Sequence, residues 1–218
     1  MFKRNGVINM GKERYSILFS SMTGNTKELA DAIREILPEE TLDYFGLCKD
    51  ADPQSEILYI GFWTDKGTAD EATTTLLKSL RNKKIFLFGT AGFGGSEEYY
   101  QKVLHNVREN IDPSNQIVGE YMCQGKMPMA MRERYVKMKE DPNHKPNLDM
   151  LIENFDRALS HPDKADLEKL RVIGQNVLMA NPSHQTFYPH YVSRSKQLHH
   201  PRLKDSFPID SSHSFADK

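Results

Sequence analysis

The sequence predicts an α/β fold: a five-stranded parallel sheet between two layers of helices, with extra helices at the C-terminal end. Three observations carry that prediction. Short apolar runs alternate along the chain with segments of helical periodicity, the order that right-handed β-α-β crossovers require. The first apolar run stops in a hydroxyl-rich turn and restarts at once as an amphipathic helix. The 218 residues, 38% of them hydrophobic, suffice for one full core with no second domain.

Taken in order, residues 1–14 form an N-terminal extension that has basic residues but no apolar segment of the kind a secretory signal carries. Strand one opens the stretch from Tyr15 to Leu37, where Ile17, Leu18 and Phe19 make the continuous run of a strand covered on both faces. Leu29, Ala30, Ile33 and Ile36 or Leu37 then recur at helical spacing. Thr41–Phe45, Ile57–Phe62, Ile85–Phe88 and Ile117–Tyr121 read as strands two to five, with helices over Asp70–Leu80 and Glu97–Asn110. Pro128 suits the first turn of a helix that runs through Met138, and the Asp141–Pro146 run ends it. Two further helices, Leu148–Leu159 and Ala165–Leu178, are expected to cover a sheet face and so belong to one domain, 15–180. From Asn181 to Lys218 periodicity disappears, and the composition predicts a polar, flexible tail.

The chemistry is concentrated in Ser21-Met22-Thr23-Gly24-Asn25-Thr26. A strand-turn-helix unit aims the free N–H groups of the first helical turn at one spot, with the positive end of the helix dipole behind them. Hydroxyls and an amide complete a cradle for an anion, and Gly24 lets the backbone curl close. There is no G-x-x-x-x-G-K-S/T for a triphosphate and no G-x-G-x-x-G for a dinucleotide. Neutral donors suit a single phosphate monoester. The blander reading is that these hydroxyls merely cap the helix.

The six residues resemble the phosphate loop of flavodoxins, Ser/Thr-x-Thr-Gly-x-Thr, which holds the 5′-phosphate of FMN. The resemblance implies a flavodoxin-like fold with sheet order 2-1-3-4-5 and a ligand at the carboxyl ends of strands one, three and four. The only tryptophan, Trp63, falls after strand three with Thr64, Asp65, Lys66 and Gly67, where flavodoxins place an aromatic residue that stacks on the isoalloxazine ring. Gly67 is the candidate for a backbone flip at the ring's N5. After strand four come Thr90, Ala91, Gly92, Phe93 and Gly94, similar to the second ring loop of the family, with glycines expected to admit a flat ligand. The loop departs from the family in having no acidic residue before Glu97. Phe93 is either the aromatic partner of the ring or a hydrophobic plug. The loops GFWTDKG and GTAGFG, followed by Cys123-Gln124-Gly125-Lys126, are similar to a bacterial subgroup of short flavodoxin-like proteins. Some of these accompany flavin reductases such as bilirubin reductase.

The implied function is electron transfer between a reductase and an acceptor enzyme, with FMN as cofactor, a redox partner protein as contact and no catalytic residues of the chain's own. The alternative is an FMN-dependent NAD(P)H:quinone or flavin reductase on the same fold. A third is a fold that has lost its flavin, against which the complete cradle argues. A net charge of −1 and scattered Lys and Arg give no support for nucleic-acid binding. No apolar run reaches the ~20 residues that span a membrane, so cytoplasmic residence is expected. Cys48 and Cys123 form no C-x-x-C. Cys123 is expected to be a packing residue, and the methionines around it to fill gaps. His184, His190, His199, His200 and His213 fit no metal-ligand spacing, so no metal is expected.

Overall fold

The computed structural model describes residues 13–49, 51–94 and 96–179. The expected tail, with its five histidines, and residues 1–12 of the expected extension lie outside the described residues. The last two residues of that extension are tied to the sheet: Glu13 pairs with Lys84 and Arg14 with Asp43.

Five parallel strands, β1 (Tyr15–Phe19), β2 (Leu42–Leu47), β3 (Ile57–Asp65), β5 (Lys84–Ala91) and β6 (Gln116–Gln124), lie in the order β2-β1-β3-β5-β6. This is the expected 2-1-3-4-5 arrangement of parallel strands. The sheet nevertheless has six strands, not five, because β4 (Thr68–Ala69) turns back antiparallel on the end of β3, with Thr64 opposite Ala69 and Asp65 opposite Thr68. The cause is local. Lys66 and Gly67 have φ of 48° and 81°, the pair of left-handed residues that closes a two-residue hairpin. What the sequence presents as a loop after Phe62 is therefore an extension of β3 through Asp65 followed by a tight turn.

The helices are α1 (Asn25–Ile36), α2 (Glu71–Ser79), α3 (Glu97–Arg108), α4 (Met129–Met138), α5 (Leu148–Ala158) and α6 (Lys164–Met179). On one sheet face Leu18, Leu58, Ile60, Phe62 and Leu87 pack against Leu76 and Leu77 of α2 and Val103, Leu104 and Val107 of α3. On the other, Ile17, Tyr59, Phe86 and Phe88 meet Leu29 and Ile33 of α1 and Leu170 and Val177 of α6. Alternate residues of β1, β3 and β5 thus serve opposite layers, which is why these strands read as unbroken apolar runs. α6 covers the sheet as expected, packing on α1 and β6, whereas α5 packs chiefly on α4. Among the described residues, no helix is long and apolar enough to cross a membrane.

β3 and β5 interlock through two glycines. Gly61 lies opposite Phe88, and Phe62 opposite Gly89. A Cβ on Gly61 would stand 2.3 Å from the Phe88 ring, and one on Gly89 would stand 2.4 Å from the Phe62 ring. Each ring occupies space that the neighbouring strand leaves open.

Candidate functional site

Everything the sequence marks as chemical lies at the carboxyl edge of the sheet. β1 ends at Phe19, and Ser20 donates its N–H to the Gly61 carbonyl at 2.9 Å, so the turn leaves β1 fastened to β3. Gly24 (φ 89°) then begins α1 with a left-handed residue, and a Cβ there would meet nothing within 4 Å. The mouth of the turn is consequently open. Ser21 is half-buried, and Met22, Thr23 and Gly24 are exposed. The Ser21 hydroxyl accepts the Lys27 N–H at 3.3 Å. Open space above neutral hydroxyls and first-turn N–H groups fits a phosphate monoester.

The two residues after Gly24 use their side chains to hold the turn in place. The Asn25 amide donates to the Thr23 hydroxyl at 2.8 Å and to the Lys126 carbonyl at 2.9 Å. Thr26, fully buried, puts its hydroxyl 3.0 Å from that of Thr90 and donates to the Phe62 carbonyl at 3.3 Å. One threonine thereby joins the turn after β1 to the ends of β3 and β5. The Thr64 hydroxyl adds a second tie, donating to the Thr90 carbonyl at 3.0 Å.

Trp63 is half-buried beside this junction, in register with Thr90. Asp65 and Lys66 lead into the hairpin turn, and the Gly67 carbonyl accepts from the Asn106 amide of α3 at 2.9 Å. The hairpin glycine is thus tied to α3 through its carbonyl. Phe93 is 38% exposed at this edge of the sheet. Ala91 is buried at the end of β5. Gly92 and Gly94 are glycines because protein side chains need the room: a Cβ on Gly92 would stand 2.6 Å from Met127, and one on Gly94 would stand 2.5 Å from Gln124. Met127 fills a gap as the methionine argument expects, between the ring loop and the chain beyond β6.

Residues that sequence reasoning did not place here are Gln124, Asn154, Asn106 and the Lys126 carbonyl. Their signal was faint, since each contact pairs a side chain with a backbone group far away in the chain. Cys48 and Cys123 are both free and buried. Burial pushes the Cys48 thiol up to about 12 and raises that of Cys123 also, so both are neutral at pH 7 and neither is a nucleophile. Cys123 packs in the layer that holds α1 and α6.

The model of the flavodoxin domain family matches residues 16–175. A flavodoxin-like domain-containing protein of Clostridium symbiosum, BilS, is 37% identical over 172 residues, which cover 71% of this chain and 90% of that protein. The BilS of Clostridioides difficile is 29% identical over 171 residues, covering 75% of this chain and 95% of that protein. Among solved structures, a flavodoxin from the domain Archaea aligns at 15% identity over 77% of this chain and 97% of its own, with a TM-score of 0.42.

Proposed function

The chain belongs to the flavodoxin domain family, whose cofactor is FMN, and on that premise we propose that it carries electrons between a reductase and an acceptor enzyme. When bound, FMN supplies the redox chemistry, and the chain supplies binding, orientation and electrostatics. One observation supports the assignment of the site: the buried Thr26 hydroxyl, at the start of the helix that follows the hydroxyl-bearing turn, contacts both the Thr90 hydroxyl of β5 and the Phe62 carbonyl of β3.

In this reading Ser21, Thr23 and the main-chain N–H groups of Met22, Gly24, Asn25 and Thr26 hold the phosphate. Trp63 and Phe93 flank the isoalloxazine ring. Thr64, Asp65, Lys66 and Gly67 on one side, and Thr90, Ala91, Gly92 and Gly94 on the other, border it with backbone. Met22 and Phe93, 52% and 38% exposed, put apolar surface on the cofactor loops. Such surface suits contact with a protein partner better than an enclosed pocket for a small substrate.

The test is spectroscopic. Purified holoprotein should show flavin absorption and weak Trp63 fluorescence that brightens when FMN is removed, since this Trp has no competitor in the chain. NADPH alone should leave the flavin oxidised, while NADPH with a flavin reductase should bleach it. Rapid NADPH consumption with a quinone and no added reductase would replace the carrier with the reductase reading.

A further inference from the structure

We propose that Asn154 of α5, together with Gln124 at the end of β6, positions the second ring loop, so that a helix outside the sheet layers sets the geometry of the flavin-ring subsite. The inference rests on the assignment of FMN to this edge of the sheet. Its physical basis is a carboxamide pair closed on the backbone of one loop. The Gly92 carbonyl accepts from Asn154 Nδ2 at 3.0 Å and from Gln124 Nε2 at 3.1 Å, which uses both of its lone pairs. Gln124 Nε2 also donates to Asn154 Oδ1 at 3.2 Å, and the Gly94 N–H approaches the same oxygen at 3.5 Å. Asn154 therefore donates to one end of the Gly92–Gly94 segment and accepts from the other.

Both side chains are more than nine-tenths buried, with Asn154 5% and Gln124 7% exposed. Carboxamides so placed are costly unless each finds partners, and here the partners are the loop itself. The main chain of β6 joins in, since the Gly125 N–H donates to the Ala91 carbonyl at 2.9 Å. Neighbouring Phe155 and Ala158 are fully buried and seat α5, so the amide is presented from a fixed base. A loop rich in glycine would otherwise lose the most conformational freedom on ordering around a flat ligand. Fixing it beforehand removes that cost from binding.

Riboflavin isolates the ring subsite because it has no phosphate. Asn154→Leu, which keeps the branched heavy-atom shape and removes both hydrogen-bonding functions, should weaken riboflavin and FMN by the same factor, about tenfold or more for buried hydrogen bonds lost. The ratio of the two affinities should stay at its wild-type value. In the apoprotein, hydrogen exchange should quicken in the peptide spanning 91–96 and stay unchanged in the peptide spanning α5. Gln124→Leu, which leaves α5 untouched, should quicken the same loop peptide. Unchanged riboflavin affinity in Asn154→Leu, or loop exchange that neither substitution alters, overturns the proposal. A wild-type protein that binds neither flavin removes the FMN assignment instead, and the exchange arm, which needs no flavin, still decides the clamp.

Discussion

Thr23 and Thr26 carry the same functional group three residues apart, and the fold gives them opposite tasks. Thr23 is exposed at the mouth of the turn, where its hydroxyl accepts from Asn25 and keeps its own proton for an anion. Thr26 faces inward, toward Thr90 and the Phe62 carbonyl. Substituting Thr23→Ala should therefore weaken FMN by about 1.5–3 kcal/mol, the range for a hydrogen bond to a charged group, and leave riboflavin unchanged. Thr26→Ala should weaken both flavins, because it loosens the junction of three strand ends. Titrating each apoprotein with the two ligands separates the roles, and equal loss for both ligands in Thr23→Ala would remove it from the phosphate site. Sequence alone distinguishes the residues poorly, since either hydroxyl could cap, cradle or pack. What separates them is the direction each faces once α1 is set against β3.

At the scale of elements, β1, β3 and β5 were the most legible, because these central strands are covered on both faces and their apolar runs need no knowledge of their neighbours; the edge strand β2, half open to solvent, carries a broken pattern. β4 was not legible: two residues carry no pattern, and its existence follows from the left-handed pair Lys66 and Gly67. The glycines of β3 and β5 were legible as glycines but not in purpose. Gly89 reads as room for a ligand until the Phe62 ring is seen across the strand pair. Gly89→Ala should accordingly destabilise the apoprotein by about 1–3 kcal/mol, the usual penalty for overfilling a packed core, with the change visible in urea titrations. A neutral result would mean that the Phe62 ring can move aside. Asn154 and Gln124 escaped the sequence for a related reason. Their partners are backbone atoms 62 and 32 residues away, and a carbonyl leaves no mark in the residue alphabet.

Over the whole molecule, the proposed site draws on turns after β1, β3 and β5, on the end of β6 and on α5, so no contiguous segment contains it. Holding these parts together should make FMN a stabiliser of the entire fold. Apoprotein melting temperature should rise with FMN concentration as RT ln(1 + [FMN]/Kd) requires, about 2.7 kcal/mol at a hundredfold excess over Kd. A melting temperature indifferent to FMN would contradict a site built across the molecule.

The distance in sequence between the turn after β1 and the amide of Asn154 also sets a timetable. A ribosome delivers the chain from its N-terminus, and β1, α1 and β3 can pair long before α5 has been translated. On the proposed clamp, a nascent chain has the phosphate turn early but meets Asn154 only after more than two thirds of the 218 residues have been joined. A ribosome stalled before α5 should then hold a chain that has its phosphate turn and lacks the amide that steadies its ring loop.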